Sequence, residues 1–506
     1  MGSTVRYGFA IDQRTCIGCH ACTVACKTEH EIPLGQFRTW VKYVDSGTFP
    51  DSTRDFAVMR CNHCTDAPCV KICPTHALIK RDDGIVDFDG DNCIGCKSCM
   101  QACPYDAIYI DAESNTAAKC NFCAHRVDEG LEPACVTVCP THSIWVGDLD
   151  DDEAGISRLI RDNPVSVRSP EQNTGPNVFY LGADRATLDP LGAPVRDTYL
   201  WAKPDEQRLA SGADFDGADP TAHTTLNTAH PRPWGWRVIT YLWAKGLGGG
   251  ALFVAALAVL LGVPLGATGD FVAPVLAAAG VGATGVLLVW DLKRPERFYY
   301  LFTKGNQGSW LVLGGYCLLA FGLAAVLWFG AALVGDVPAW VAWVVLVPSG
   351  LVAAYTAFLF GQAEGRDLWQ SAWLGPHLLV QAAMVGAGAM GVTAAVAGVG
   401  GGGIALIART LVVAGVLHLA VTAADLLGTH HSDNAAVAAR TIVRGRYARL
   451  FWGGAVAPVV LAVLLAALSW GGGAVGALLV AGLVVQVALL VYETVYVRAA
   501  QDVPLS

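Results

Sequence analysis

Apolar residues follow two regimes along the chain. From residue 238 onward they form eight nearly uninterrupted segments, at 238–262, 271–290, 309–334, 339–360, 373–397, 403–427, 449–468 and 473–497. Each is near or above the roughly 20 residues a helix needs to cross a bilayer. Before 150 the apolar runs are short and broken by cysteines. Between them, residues 150–238 are rich in Asp, Gly, Pro and Thr. Stretches such as LASGADFDGADPTAHTTLNTAHPRPWGW lack helical or strand periodicity and predict an irregular surface strap, with NVFYLG at 177–182 as one short strand. The pattern divides the chain into a domain over 1–150, a strap over 151–237 and an eight-helix membrane domain over 238–506. The glycine run GLGGG at 246–250 lies inside an apolar helix with no preceding strand, which predicts close helix packing rather than a phosphate loop.

Charge sharpens the division. Of 34 Lys+Arg and 43 Asp+Glu, residues 239–506 hold only 12 and 10, too few for a water-facing surface. The first 238 residues hold 22 and 33, and this acidic balance argues against nucleic acid as a partner.

Sixteen of the 17 cysteines lie between Cys16 and Cys139. A disulfide scaffold of that density belongs with a secretion signal. The segment MGSTVRYGFAIDQRTC shows no apolar h-region and no twin arginine, so the cysteines are expected to be metal-bound thiolates in a reducing compartment. They form four groups: Cys16, Cys19, Cys22, Cys26; Cys61, Cys64, Cys69, Cys73; Cys93, Cys96, Cys99, Cys103; and Cys120, Cys123, Cys135, Cys139. The first and third have the spacing CxxCxxCxxxC, and Pro74, Pro104 and Pro140 follow the last cysteine of the second, third and fourth groups. This is the bacterial ferredoxin run, in which three close thiolates hold one cubane and the fourth reaches another. Sixteen thiolates predict four 4Fe-4S clusters. Zinc also favours CxxC pairs but leaves the third close cysteine and the Cys-Pro pairs unexplained. With complete cysteine sets, His20, His63, His76, His125 and His142 are expected to pack or to hydrogen-bond cluster sulfur. Cys317, alone in the apolar half, reads as a small buried hydrophobe.

The runs CIGCHACTVACK, RCNHCTDAPCVKICPTHAL, CIGCKSCMQACPYDAI and CNFCAHRVDEGLEPACVTVCPTHSI resemble the four-cluster electron-transfer subunit of molybdopterin oxidoreductases of the dimethyl-sulfoxide and polysulfide reductase type, over residues 8 to about 200. The resemblance implies crossed ligand sets: Cys16, Cys19, Cys22 with Cys139; Cys120, Cys123, Cys135 with Cys26; Cys61, Cys64, Cys69 with Cys103; and Cys93, Cys96, Cys99 with Cys73. Farther on, WDLKRPERFYYLF, GSWLVLGGY, YTAFLFGQAEGRDLW and YETVYVRAAQDVPLS resemble the NrfD/PsrC membrane-anchor family, whose members exchange electrons with quinone and lack haem. The chain then looks like a fusion of two usually separate subunits. The expected fold is an α+β ferredoxin-like double-dicluster domain followed by an all-α bundle of eight transmembrane helices, arranged as two four-helix bundles.

Ionisable residues within spans are costly and mark candidate sites. Lys245, Asp291, His377, His418, Asp425 and Glu493 fall on the iron–sulfur side of their helices, with Tyr241, Tyr355, Tyr492 and Tyr496 at that level. Lys245 could equally snorkel to headgroups, and Asp291 could pair with Arg294. The quinone, menaquinone or ubiquinone, is expected among Tyr241, Asp291 and Tyr355. Tyr355 carries most weight because it opens the family-like YTAFLF stretch. A haem held by His377 and His418 is disfavoured: counted from the helix ends, at 1.5 Å per residue, their depths differ by roughly 7 Å.

Basic residues set orientation. Lys245, Lys293, Arg294, Arg297, Lys304, Arg366, Arg440, Arg444, Arg446, Arg449 and Arg498 gather on one side and only Arg409 on the other, placing the iron–sulfur domain and both termini in the cytoplasm, at the inner membrane. The leading expectation is an electron-transfer and anchor subunit, embedded in membrane lipid, that links quinone through four clusters to a separate molybdopterin catalytic subunit. Either a reductase or a sulfite- or formate-type dehydrogenase partner fits. The rival is a redox-driven ion translocator using Arg409 and Gln381.

Overall fold

The computed structural model describes residues 5–194, 220–228 and 231–506. Part of the strap, 195–219 with 229–230, lies outside the described residues.

Among the described residues, the iron–sulfur half is built on four small sheets. Strand β1 (Tyr7–Asp12) is buried on both faces. Strands β2 (Thr39–Thr48) and β3 (Asp51–Arg60) form a long hairpin. Two short hairpins, β4 (Leu78–Lys80) with β5 (Val86–Phe88) and β6 (Ile108–Ile110) with β7 (Ala117–Lys119), follow the second and third cysteine groups. Strand β8 (Ile144–Asp148) pairs antiparallel with β1.

The strap is where expectation and structure part. Instead of irregular chain, its described residues hold a helix, Gly155–Asp162, and strands β9 (Val165–Ser166), β10 (Val178–Leu181) and β11 (His223–Leu226). Strand β10, the one short strand the sequence suggested, pairs parallel with β1 at the centre of a sheet ordered β8-β1-β10-β9, and β11 completes a sheet ordered β11-β2-β3. The helix packs Ile156, Leu159 and Ile160 over the outer face of the first sheet, against Ala10 and Leu181. That cover is why β1 is buried on both sides, and it carries the first domain well past residue 150.

The membrane half contains eight helices long and apolar enough to span: Trp236–Leu260, Thr268–Asp291, Trp310–Val334, Ala339–Gly361, Leu374–Ala397, Gly401–Leu427, Ala448–Ala467 and Val475–Asp502. We number these spans one to eight. Span 1 packs on spans 2, 4 and 5; span 3 joins 2 to 4; span 5 packs on 6 and 8; span 7 joins 6 to 8. Three successive glycines of span 1 make its contacts possible. A Cβ on Gly248 would stand 3.2 Å from Ala277 of span 2, one on Gly249 3.0 Å from Val352 of span 4, and one on Gly250 3.0 Å from the Gly386 Cα of span 5. Residues 100° apart on a helix face three directions, so the GLGGG run serves three neighbours at once. An amphipathic helix, Asp433–Val443, fills the connection between spans 6 and 7, its N-terminus capped by Ser432, which accepts from the Ala435 amide at 3.2 Å. Cys317 packs half-buried against the membrane core.

Candidate functional site

The four cysteine loops share a backbone device. Within CxxC, left-handed residues recur at Gly18 and Gly95, at His63 and at Phe122. The residues after Cys19 and Cys96, His20 and Lys97, are also left-handed, and His76, Asp106 and His142 take the same conformation two residues after a Cys-Pro proline. Such turns aim successive N–H groups into a concavity that favours negative charge. N–H groups of these turns reach thiol sulfur, His63 to Cys61 at 3.5 Å, Gly95 to Cys93 at 3.4 Å and Ser143 to Cys139 at 3.3 Å, and the first amide of β7, Ala117, also reaches Cys93 at 3.4 Å.

Sulfurs distant in sequence meet around common spaces. One cavity is lined by Cys93, Cys96 and Cys99 together with Cys73. Another is lined by Cys16, Cys19 and Cys22 together with Cys139. The sulfurs that act most strongly on Cys26 are those of Cys120, Cys135 and Cys123; around Cys69 they are those of Cys103, Cys61 and Cys64. Burial pushes the Cys22 and Cys96 thiols up to about 12, so bare thiolates are disfavoured there and a bound metal is what would keep them ionised. The donor sets and their inward N–H groups fit iron–sulfur clusters.

The nearby histidines divide. His20 hydrogen-bonds Tyr43 at 2.9 Å, and His125 meets Glu29 at 2.8 Å. Fully buried His63 accepts the Val86 amide at its Nδ1, 3.1 Å. Sequence reasoning passed over His30, whose Nε2 lies 3.2 Å from Cys123 Sγ. Burial pushes its pKa down to about 4, leaving a neutral ring able to donate N–H to sulfur. It stands outside every CxxC run, so spacing carried no signal for it.

The cavity lined by Cys73, Cys93, Cys96 and Cys99 abuts the membrane half. Lys97, next to Cys96, donates to Asp291 at 2.7 Å, and Arg237 stands 3.8 Å from the same carboxylate. Asp291 therefore pairs across the interface and not with Arg294, whose Nε donates to Ser114 O at 2.8 Å. The loop after span 2 continues the docking: Lys293 N donates to Gly95 O at 3.2 Å, and Arg297 Nη1 to Gly90 O at 2.7 Å and Cys93 O at 2.9 Å. Lys304 bonds Asn92 Oδ1 at 2.7 Å, and Asn306 reaches Cys73 O at 2.9 Å. Between the two halves opens a large cleft whose lining includes Lys97, Met100, Trp236, Arg237, Asp291 and Lys293.

Of the three residues expected to hold quinone, Tyr241 lies within electrostatic reach of both Tyr355 and Asp291. Asp291 lines the interface cleft, whereas Tyr241 and Tyr355 are buried in the bundle. Lys245 does not snorkel: it is 1% exposed, donates to Val352 O at 3.1 Å and Ala353 O at 2.6 Å, and holds its ammonium 4.6 Å from the Tyr355 ring centre.

The depth argument for His377 and His418 fails. Their nitrogens hydrogen-bond at 2.8 Å, with Tyr492 and Thr422 at 3.5 and 3.4 Å from His377. The two helix ends are not flush: Ser371, just before span 5, hydrogen-bonds Asp425 at 2.5 Å near the end of span 6, which brings the histidines level. Arg409 lies over the Trp470 ring, 5.7 Å from its centre, while Gln381 is buried.

Paired cysteine loops fused to eight apolar spans define an iron–sulfur electron-transfer subunit of a membrane oxidoreductase. Residues 53–149 match a 4Fe-4S dicluster domain, and residues 224–503, over half the chain, match the family described as Polysulphide reductase, NrfD. The protein belongs to that family, carrying the iron–sulfur module and the NrfD-type anchor in one polypeptide. It is 44% identical over 190 residues to a subunit of the tetrathionate reductase of Salmonella typhimurium, a match covering 37% of this chain and 76% of that protein. A polypeptide of the polysulfide reductase of Wolinella succinogenes is 38% identical over 36% of this chain and 98% of its own length. The putative dimethyl sulfoxide reductase iron-sulfur subunit of Halobacterium salinarum is 36% identical over 44% of this chain and 97% of its length.

Proposed function

We propose that the chain carries electrons between quinone in the bilayer and a separate molybdopterin catalytic subunit, through four 4Fe-4S clusters held by the crossed cysteine sets. The observation that carries the reading is the contact between the Cys73, Cys93, Cys96, Cys99 set and Asp291 through Lys97, which supports taking that set as the end of the cysteine series nearest the cleft. The other end, the Cys16, Cys19, Cys22, Cys139 set, is flanked by exposed Ile17, Val24 and Val138, an apolar surface suited to a partner. The clusters supply one-electron steps at fixed positions, and either direction of flow uses the same contacts.

The membrane half reads as two four-helix bundles, spans 1–4 and 5–8, joined where spans 1 and 5 touch. Asp291, at the cleft, accepts or delivers the proton that accompanies quinone chemistry. Tyr355, with Lys245 over its ring, supplies a hydrogen bond from inside the first bundle, and Tyr241 shares that level. Tyr355→Phe and Asp291→Asn should each depress quinone-linked turnover at least tenfold, about 1.4 kcal/mol, while dye-linked transfer through the clusters stays intact. Unchanged quinone kinetics in both would overturn this site.

Orientation is part of the proposal, with the iron–sulfur domain cytoplasmic. Several basic residues behind it, Arg294, Arg297, Lys304 and Arg366, have interface partners of their own, and Lys245 is internal, so the case rests on the exposed Arg444, Arg449 and Arg498 against Arg409. A phosphatase reporter inserted after Gly335 should be active on the outside; activity only in variants tagged on the iron–sulfur domain would reverse the assignment. A second reading, proton movement driven by turnover, draws on the buried His377–His418 pair and on Lys245 and Glu493 at the meeting of the bundles. Turnover-linked proton uptake in vesicles separates it from simple electron transfer.

A further inference from the structure

Arg60 ends strand β3, one residue before Cys61, and is 0% exposed. Its guanidinium lies over the Phe9 ring, 4.3 Å from the centre, and Nη1 donates to Cys135 Sγ at 3.4 Å. Nε and Nη2 are buried with no hydrogen-bond partner among the described residues. The sulfurs of Cys135, Cys120 and Cys22 are the charges that act on it most directly. A guanidinium out of water needs an anion and hydrogen-bond acceptors, and the anions at hand here are thiolates. They belong to two different sets: Cys22 to that of Cys16, Cys19 and Cys139, and Cys120 and Cys135 to that of Cys26 and Cys123. Arg60 therefore stands between two cysteine sets, with two donors still to place.

We propose that Arg60 is a positioning residue of the electron path: its fixed charge and N–H groups, set between the Cys16/Cys19/Cys22/Cys139 and Cys26/Cys120/Cys123/Cys135 sets, hold up the reduction potentials of the clusters bound there. The inference rests on the four-cluster reading above. Each cluster becomes more negative by one charge on reduction, and a cation or an N–H donor at its sulfurs favours that form. Because one guanidinium acts on both sets, it raises both potentials together.

The test is a potentiometric titration followed by electron paramagnetic resonance on the full-length protein, native, Arg60→Lys and Arg60→Gln, with iron counted in each. About sixteen iron per native chain is the premise; a lower count overturns the four-cluster reading itself. With iron content unchanged, Arg60→Gln should lower two potentials, each by at least a tenfold change in the reduction equilibrium, about 59 mV for one electron. Arg60→Lys, which keeps the charge, should recover part of the shift. Three or more cluster signals at native potentials in Arg60→Gln would overturn the proposal. Should the variants lose iron, the native protein decides: with guanidino-15N arginine, a reduced-cluster signal should carry a 15N coupling, and its absence counts against Arg60.

Discussion

Residue by residue, the sites divide into those fixed by local spacing and those made only by folding. The cysteine groups were legible because most of their members sit within a few residues of one another. Lys97 and Asp291 are 194 positions apart, and neither carries a local signal that it will meet the other. Lys42 was equally silent. It sits on β2, 1% exposed, its pKa pushed down to about 7 by burial and by neighbouring Arg168. At high pH the group is neutral in folded and unfolded chains alike and has no effect. As pH falls toward 7 the unfolded chain binds the proton and the folded one resists, so the handicap to folding grows and is complete below about 7. Lys42→Met keeps the length and removes the charge, so it should raise the apparent unfolding midpoint more at about pH 6 than at about pH 10. An equal gain at both would show that the lysine is ionised and satisfied in place.

For whole elements, hydropathy was a sufficient guide to the eight spans, because a helix in lipid must satisfy its backbone internally and cover itself with apolar side chains. It was a poor guide to Gly155–Asp162 and β11. The helix carries Ile156, Leu159 and Ile160 at helical spacing, but over two turns among acidic and glycine-rich neighbours, and β11 is four residues whose pairing partner lies far back in the sequence. Counting depth from helix ends also misled, because spans 5 and 6 end at different heights. The contact between spans 1 and 5 gives the sharpest test at this scale. Gly386→Leu should overpack it at a cost of ~1–3 kcal/mol or more, seen as a lower thermal midpoint in detergent. Gly330→Ala, which meets nothing within 4 Å, should be neutral or slightly stabilising. Equal behaviour of the two would mean that the close approach does not govern the packing.

In the whole molecule, the join between the halves was invisible to sequence reading, since the basic residues that build it had already been spent on the orientation count. Arg366 is one of its buried members. It donates to Gln101 Oε1 at 2.9 Å and Val503 O at 3.3 Å, and faces Asp106 at 3.4 Å. Removing one partner of such a buried pair typically costs ~3–5 kcal/mol. Arg366→Ala should therefore slow transfer between quinone and the clusters while leaving iron content and dye-linked rates near native. Unaltered quinone-linked rates would show that the join tolerates its loss.

That join is made mostly of side chains reaching backbone carbonyls, a polar kind of contact like those between transiently associating proteins. The relatives from Wolinella and Halobacterium are each matched over nearly their whole length by less than half of this chain. Here a covalent connection sets the effective concentration of one half at the other in the millimolar range or above. Dilution therefore cannot separate cluster from cleft, and the contact is free to be tuned for electron passage without having to be strong enough to assemble the complex.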